Sequence, residues 1–349
     1  MSISVRPPRR RAGLRALLAA AAVATLLVTG AAVLAPPARP AAAEPNDDEG
    51  GTASLRKVLE AAGKGYAAAK ARRDASLRRQ RALNAELAAL ATRLTAVERE
   101  AGLVAAQSYR NGRLMVASVL LESGSPDALW QRAWLADSLA RRDGRQLRRL
   151  AEARDRVARA KLAIDAEVRL QTRELAVMAK RKQDAERALA AAGGGTPAGG
   201  FVSANSPLAK PAPRNPDGTW PNESCTVDDP TTSGCITPRT LHALNQARAN
   251  GFGRHASCYR TGGGGEHPKG RACDFAAASG GFVNAAATGG DRTYGNNLAA
   301  FYVKNANRLG VLYVIWFNQI WMPSTGWRSY GGGSDPSSAH TNHVHLSMY

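Results

Sequence analysis

The last ten residues of the chain hold three of its six histidines, His340, His343 and His345, in the run HTNHVHLS. Upstream, His267 and Asp274 frame the run EHPKGRACDF. Imidazole nitrogens and carboxylate oxygens are donors that zinc takes from proteins. A hydrolytic zinc site needs about three of them and an open position for water. These five residues therefore predict a zinc site.

The spacing of these residues predicts how they are presented. The run HVHLSMY alternates as a strand does, and side chains two residues apart on a strand project from the same face. Asp274 stands at the end of another strand-like segment, after a turn that contains glycine. One histidine of the pair His343 and His345 can therefore bind the metal while the other faces a substrate.

Residues 260–345 resemble the LAS group of zinc metallopeptidases, named for lysostaphin, the D-alanyl-D-alanine metallopeptidases and Hedgehog. In that group the His and Asp of HxxxxxxD and the second His of HxH bind zinc, which implies His267, Asp274 and His345 as ligands. The pattern HxxHxH is similar to that of penicillin-insensitive murein endopeptidases. It implies that His343 or His340 acts as general base or stabilises the oxyanion.

Two further features of this resemblance concern substrate and base. Arg260 in SCYRTG matches the arginine of an SGYRS-like motif, which implies that its guanidinium grips a substrate carboxylate or carbonyl. A related branch carries a glutamate shortly before the last zinc histidine, but positions 340–342 hold no carboxylate. The nearest carboxylates in sequence are Glu266 and Asp335. Either a histidine is the base, or the site binds zinc with weak or no turnover.

The four cysteines all lie in the C-terminal part of the chain, at Cys225, Cys235, Cys258 and Cys273. An even number in an exported protein predicts two disulfides. Three pairings exist, and we favour Cys225–Cys235, which closes a short loop, with Cys258–Cys273, which braces the strand of the predicted aspartate ligand. A zinc site made of cysteines is a weaker alternative because no CxxC pair occurs. A cysteine peptidase that uses Cys273 with His343 would need an unpaired thiol.

The N-terminal residues 1–43 predict a secretory signal peptide. Residues 1–15 carry five arginines and no acid, residues 16–34 are apolar, and three alanines precede Glu44, where we expect cleavage. An uncleaved membrane anchor is the alternative, since a spanning helix needs roughly 20 apolar residues. The predicted location is extracellular, in association with the cell wall.

The charge of the chain indicates which partners are excluded. Of the net charge of +19, the six arginines of residues 1–43 carry +6, which leaves +13 after the predicted cleavage. A basic exported protein is held near anionic surfaces such as wall polymers or lipid head groups. Nucleic acid is not an expected partner, because the protein is exported and carries no recognition motif.

Residues 52–192 are rich in Ala, Leu, Arg, Glu and Gln and contain one proline, Pro126, a composition typical of long helices. A first heptad seam runs through Leu83, Leu87, Leu90, Leu94 and Val97. A second seam runs through Leu150, Val157 and Ile164. Two such helices in one chain predict an antiparallel coiled-coil hairpin.

Between the two seams, Gly112, Gly124 and Pro126 interrupt the pattern and predict a tip of short helices that carries Trp130 and Trp134. Residues 52–192 resemble the N-terminal coiled coil of peptidoglycan hydrolases of the PcsB and CwlO type. The resemblance implies an arm that docks on a membrane or divisome partner. A plain spacer is the alternative, and the oligomeric state stays open.

The rest of the chain divides into a linker and a head. Residues 193–222 are rich in Gly and Pro and predict a flexible linker. Residues 223–349 predict a helix capped by Thr237 and Pro238, short strands, a second helix at 297–309 and a final strand. The expected fold is α+β: a long antiparallel coiled-coil hairpin followed by a small D-Ala-D-Ala-metallopeptidase-like domain with an antiparallel sheet.

These features together imply an exported Zn²⁺ metallopeptidase that acts on peptidoglycan stem peptides or cross-links. The missing glutamate motivates an alternative, a non-catalytic coiled-coil protein that is stabilised by zinc and binds the wall or regulates another hydrolase. Which amide bond is cut is left open at this stage.

Overall fold

The computed structural model describes residues 49, 51–121, 124–201, 205–331 and 333–349. The predicted signal peptide, residues 1–43, lies outside the described residues. Within the described part of the chain, no helix combines the length and the apolar character that crossing a membrane requires.

Two long helices form the arm: α1, Ala53–Leu121, and α2, Pro126–Ala191. Among the described residues, three ion pairs join the two helices. As the residue number of the partner in α1 rises, that of the partner in α2 falls, as an antiparallel hairpin requires. The pairs are Arg72–Glu174 at 2.8 Å, Arg79–Glu167 at 2.8 Å and Glu98–Arg154 at 3.0 Å. The predicted hairpin is confirmed.

The tip of the hairpin differs from the prediction of short helices. Helix α1 continues through Gly112, because one glycine costs a helix only about 1 kcal/mol relative to alanine. Helix α2 then begins directly at Pro126, where the fixed φ of proline suits the first helical position, and Ser125 caps it. Trp130 and Trp134 are exposed on the first turns of α2.

In the described part of the head, two sheets pack with three α-helices. A small sheet pairs β1, Val227–Asp228, with β2, Cys235–Ile236. The helices are α3, Pro238–Ala249, α4, Gly289–Lys304, and α5, Ala306–Leu309. The strands of the main sheet are β3, Ala256–Ser257, β4, Ala272–Ala276, β5, Val311–Trp316, β6, Gln319–Met322, β7, Gly326–Ser329, and β8, His343–Met348.

The main sheet is antiparallel, with strand order β3-β4-β8-β5-β6-β7. The final strand of the chain therefore lies in the middle of the sheet, between β4 and β5. This arrangement confirms the predicted α+β fold with an antiparallel sheet.

The two predicted helices of the head are present, one of them with different bounds. Thr237 caps α3 by accepting the N–H of Thr240 at 3.2 Å, and Pro238 takes the first helical position. The helix expected at 297–309 is two helices, and α4 starts at Gly289 in a glycine-rich segment. Tertiary packing explains this, because Gly295 lies so close to Trp316 that a Cβ would stand 2.3 Å from its ring.

The two faces of the main sheet contribute to separate cores. One face packs against α3, α4 and α5 with Phe275, Val314, Trp316, Val344 and Leu346. The other face contributes Tyr313, Ile315 and Ile320 to a core that the base of the arm completes with Leu55, Leu59 and Leu189.

The base of α1 approaches the sheet closely at Gly63, where a Cβ would lie 2.5 Å from Cδ1 of Leu312. Beside this contact, Glu60 accepts hydrogen bonds from Lys269 at 2.9 Å and from Arg271 at 2.8 Å. Arm and head are therefore joined by buried apolar side chains and by a small ionic network.

The expectation of a flexible linker at residues 193–222 is not met where the structure describes it. Pro197 pairs with Arg328 of β7, and the ring of Phe201 meets Trp327 edge-on at 5.3 Å. Buried Asn305 donates to the carbonyl of Pro207 and accepts the N–H of Ala209, both at 2.9 Å. The segment has too few apolar residues for a core of its own, but the head supplies partners for its backbone and side chains.

Candidate metal centre

Three predicted ligands converge on the sheet face that looks toward the arm. Asp274 of β4 stands opposite His345 of β8, and His345 Nδ1 lies 2.7 Å from Asp274 Oδ1. A 3-10 helix, His267–Lys269, supplies His267, whose Nε2 lies 3.1 Å from Asp274 Oδ2 and 3.3 Å from His345 Nδ1. All three side chains are buried. Strand pairing and one tight turn thus bring the three residues together.

The turn that carries His267 depends on Gly270. Gly270 has a left-handed φ of 66°, donates its N–H to the carbonyl of His267 at 2.9 Å, and accepts the N–H of Thr237 at 2.9 Å. A Cβ at this position would lie 2.5 Å from Sγ of Cys225. Glycine is therefore required both by the backbone conformation and by the close approach of the neighbouring loop.

The outward nitrogen of each histidine ligand already has a partner. His267 Nδ1 donates to the carbonyl of Cys258, and His345 Nε2 lies 2.8 Å from the hydroxyl of Ser347. The carbonyl of Cys258 can only accept, so His267 Nδ1 carries a proton, whereas the hydroxyl of Ser347 can donate or accept. In both rings the other nitrogen, His267 Nε2 or His345 Nδ1, faces Asp274. Histidines that bind metals in proteins are oriented by such outer hydrogen bonds.

The charge of Asp274 is maintained although the residue is buried. Burial raises the pKa of its carboxyl, but the charges of His267 and Arg260 outweigh this effect and hold the pKa well below its usual range. Burial lowers the pKa of His267, but the charge of Asp274, its hydrogen bond and the charge of Glu49 together outweigh burial and raise that pKa. A buried, ionised carboxylate among imidazoles provides the donor set that a divalent cation such as zinc prefers.

Two disulfides are present, with the pairing that we favour on sequence grounds: Cys225–Cys235 and Cys258–Cys273. Cys258 holds His267 through its carbonyl, and Cys273 directly precedes Asp274. This bond therefore ties two of the predicted ligands to each other. Both cysteines are oxidised, so the alternative of a cysteine peptidase that uses Cys273 is wrong.

The two predicted catalytic histidines lie beside the ligands. His343 Nε2 is 3.6 Å from Asp274 Oδ1, and His343 Nδ1 is 2.7 Å from the side-chain oxygen of Asn342. The ring of His340 lies 4.8 Å from that of His343 and 5.6 Å from that of His345. His340 also has a positive φ of 50°, a conformation that is costly for a residue with a Cβ and that is concentrated at functional sites.

Arg260, the predicted substrate-binding residue, lies at the same place but contacts a ligand. Its Nη1 donates to Asp274 Oδ2 at 2.7 Å, and 21% of its side chain is exposed. In this structure the guanidinium therefore helps to orient and charge-balance the carboxylate. A role in holding substrate stays a prediction.

Glu266 and Asp335, the carboxylates nearest in sequence to the histidine motifs, bind other partners and not the histidines. Glu266 is buried in ion pairs with Lys269 at 2.9 Å and with Arg271 at 2.7 Å. Asp335 is exposed and accepts the backbone N–H groups of Ser337 and Ser338, both at 3.0 Å. The histidines beside Asp274 are therefore the better candidates for a general base.

A further carboxylate, Glu49, enters the site from the segment before the arm. A donor atom of Glu49 and one from each of His267 and His345 all lie within 4.8 Å of one another. Its Oε2 accepts the hydroxyl of Tyr313 at 2.6 Å, and its Oε1 accepts the N–H of Glu266. Sequence reasoning missed this residue because it lies far from the histidine motifs and has no spacing relation to them.

The environment of Glu49 favours its ionised form. Burial raises the pKa of its carboxyl, but the charges of His345 and His267 and the hydrogen bond from Tyr313 outweigh burial and lower the pKa. The residue is 2% exposed. The space lined by Glu49, Arg260 and the glycines of residues 262–265 is too small for a water molecule. The site is therefore closed on the side of the arm.

Comparison with known proteins gives a match in the head. Residues 232–344 match the family model described as VldE, C-terminal domain. This range contains His267, Asp274 and His343 and ends one residue before His345, and the arm lies outside it. No curated protein and no solved structure matches the chain.

Proposed function

We propose that the protein is an exported zinc-dependent peptidase that cuts amide bonds in the stem peptides or cross-links of peptidoglycan. One observation carries the proposal: His267 Nε2, Asp274 and His345 Nδ1 converge in a buried cluster, and the outward nitrogen of each histidine is engaged. Three nitrogen or oxygen donors held in this way are the set that catalytic zinc takes from a protein.

The neighbouring residues supply the remaining chemistry. A zinc ion held by His267, Asp274 and His345 would lower the pKa of a bound water toward about 7 and would polarise the scissile carbonyl. His343 accepts the proton of the attacking water and delivers it to the departing amine. The water oxygen first forms a C–O bond to the carbonyl carbon, and the C–N bond then breaks, which leaves a carboxylate and an amine. His340 is placed to donate a hydrogen bond to the oxygen that becomes negative in the transition state.

The substrate class is supported by features of the sequence. The predicted signal peptide directs the chain outside the cell, and the net charge of +13 that would remain after cleavage holds it near anionic wall polymers. The resemblance of residues 260–345 to the LAS group, with the HxxHxH pattern of murein endopeptidases, points to amide bonds between wall amino acids.

The closure of the site favours a second candidate function. The five residues Glu49, His267, Asp274, His343 and His345 are all buried. A buried metal that has only protein donors around it stabilises a fold and does not turn over substrate. In that case the protein binds the wall or regulates another hydrolase, and zinc is structural.

One experiment separates the two functions. The chain from Glu44 onward is loaded with zinc and incubated with purified muropeptides. It is tested as wild type and as Glu49→Ala, which removes the carboxylate that closes the site. Newly formed amine ends are counted. Each protein is paired with a His343→Gln version that is shown to retain zinc. Amine ends that form and are lost with His343→Gln support the peptidase. If neither zinc-loaded protein releases amine ends, the enzymatic proposal is overturned and the structural role of zinc is supported.

A further inference from the structure

Glu49 is brought to the metal centre by a segment that belongs neither to the head nor to the helical arm. We propose that Glu49 is a fourth protein ligand of the metal and that its binding holds the protein in a closed, latent form. The ligation stands on its own, whereas the statement that the closed form is catalytically latent rests on the proposed function.

The position of the carboxylate is the first argument. Glu49 forms the 4.8 Å cluster with the donor atoms of His267 and His345. Asp274 lies outside that group of three, but its carboxylate is 3.1 Å from His267 Nε2 and 2.7 Å from His345 Nδ1. The four side chains offer one nitrogen or oxygen each. This number completes the tetrahedral shell that zinc adopts in closed protein sites.

The carboxylate of Glu49 fits a prepared niche. Tyr313 donates to Oε2 at 2.6 Å, and the backbone N–H of Glu266 donates to Oε1. Gly265 lies directly against the carboxylate, so that a Cβ there would approach it to 2.0 Å. Any side chain at residue 265 would displace Glu49, and the absence of one lets the loop close over it.

The backbone that follows the carboxylate is also anchored. Tyr330 donates its hydroxyl to the carbonyl of Glu49 at 2.8 Å. The carbonyl of Gly51 accepts a bond from Arg56 at 3.1 Å, and Thr52 caps α1 by accepting the N–H of Leu55 at 3.1 Å. The segment is therefore held by the first turn of the arm, and Leu55 is buried in the core that arm and head share.

This arrangement decides what the metal can do. Catalytic zinc sites keep one position open for water or substrate, whereas sites with four protein ligands are closed. With Glu49 bound, no position is left at which a substrate carbonyl could be polarised. Release of Glu49 alone converts the closed site into a site with three ligands.

Release does not require the arm to unfold. Gly51, with a positive φ of 66°, lies between Glu49 and the cap Thr52, and the loop above the carboxylate contains the four glycines 262–265. Glycine changes its backbone angles with little steric cost. Glu49 can therefore leave the metal through rotation at Gly51 and in the loop of residues 262–265 while Leu55 stays packed on the sheet.

The ligation is tested by metal binding, without any assay of activity. Zinc affinity is measured by competition with a chromophoric chelator for wild type, Glu49→Gln and the control Glu86→Gln, which changes an exposed glutamate of α1. We expect affinity to fall by roughly 10-fold or more for Glu49→Gln, a loss at least as large as that for an outer-sphere partner, and to be unchanged for the control. Equal affinity in all three proteins would overturn the proposal.

A spectroscopic measurement tests the same ligation independently. Cobalt(II) replaces zinc, and its visible absorption reports the number of ligands. We expect the intense bands of a four-coordinate site in wild type, shifted bands in Glu49→Gln because water replaces the carboxylate, and wild-type bands in Glu86→Gln. Tyr330→Phe, which removes the anchor but keeps the carboxylate, should give an intermediate spectrum. Identical spectra for wild type and Glu49→Gln would contradict the ligation even if both variants fold normally.

Hydrolysis of muropeptides by the same proteins distinguishes the two proposals. We expect Glu49→Gln, saturated with zinc, to cut roughly 10-fold faster than wild type. This factor corresponds to about 1.4 kcal/mol of free energy by which bound Glu49 favours the closed form. A changed cobalt spectrum with no cutting by either protein overturns the peptidase and leaves the ligation intact. Cutting at equal rates with unchanged spectra overturns the role of Glu49 and leaves the peptidase intact.

Discussion

Asp274 and His345 face each other in register on neighbouring strands, with Asp274 Oδ1 and His345 Nδ1 2.7 Å apart. His345 also pairs with Ile315 on its other side, so the last strand of the chain is held in the middle of the sheet. A donor pair on two central strands cannot separate without loss of the ladder hydrogen bonds around it. The metal centre is thus positioned by the most constrained part of the head.

His345→Ala should abolish the stabilisation that zinc gives. A ligand that binds only the folded state at 100 times its Kd stabilises that state by about 2.7 kcal/mol. We therefore expect thermal unfolding of wild type to move to higher temperature when zinc replaces EDTA, and the unfolding of His345→Ala to stay the same. The control is His255→Ala, which removes an exposed histidine. An equal zinc-dependent shift in all three proteins would contradict the assignment of His345.

The two disulfides should differ in their effect on the metal. Each closes a short loop, of 15 residues for Cys258–Cys273 and 10 for Cys225–Cys235, and replacement of either pair by alanine should cost about 3 kcal/mol. Only Cys258–Cys273 joins the carbonyl that orients His267 to the strand of Asp274. We expect its loss to weaken zinc binding roughly 10-fold beyond the effect of losing the other bond, measured with a chelator under folded conditions. Equal weakening by the two replacements would show that the bond merely stabilises the fold.

Much of the centre follows from local pattern. Alternation in HVHLSMY places His343 and His345 on one face, and the structure has both on β8. The glycine in HPKGRACD predicts the turn that separates His267 from Asp274, and Gly270 ends a 3-10 helix there. These features depend on neighbours within a few residues, so a single sequence contains them.

The features that sequence analysis missed are contacts between distant segments. Nothing near Glu49 indicates a metal, because its partners Tyr313 and His345 lie more than 260 residues away. The composition of residues 193–222 predicts flexibility, but buried Asn305 binds this segment with both ends of its amide. Tertiary partners of this kind override local propensity and leave no periodic signal.

Asn305→Ala should destabilise the head because the segment at Pro207 and Ala209 is part of the folded structure. The change removes the bond to the carbonyl of Pro207 and leaves the buried N–H of Ala209 without its partner, which costs about 1–3 kcal/mol in unfolding free energy. The control Asn307→Ala removes one exposed bond to Arg214 and should cost less than about 1 kcal/mol. Denaturant unfolding measures the free energy of unfolding of both variants. If Asn305→Ala leaves it unchanged, residues 205–222 do not contribute to the stability of the head, as a flexible linker would not.

The contact between arm and head should depend on pH through Glu60. Burial of its carboxyl raises the pKa, but hydrogen bonds and charges from Lys64 and Lys269 outweigh this and lower it from 4.5 to about 2. A group with a lowered pKa binds fewer protons in the folded state than in the unfolded state. Its contribution to stability is therefore complete above pH 4.5 and is lost as pH falls toward 2.

The measurement compares wild type with Glu60→Gln in denaturant at several values between pH 7 and pH 2. The difference in unfolding free energy should be largest above pH 4.5 and should nearly vanish close to pH 2, because wild type then carries a neutral side chain as well. Glu167→Gln removes an exposed pair with Arg79 inside the arm and should produce a smaller difference at every pH. If the Glu60 difference stays constant between pH 7 and pH 2, its charge does not hold the arm on the head, and apolar packing around Leu55 and Leu59 alone joins them.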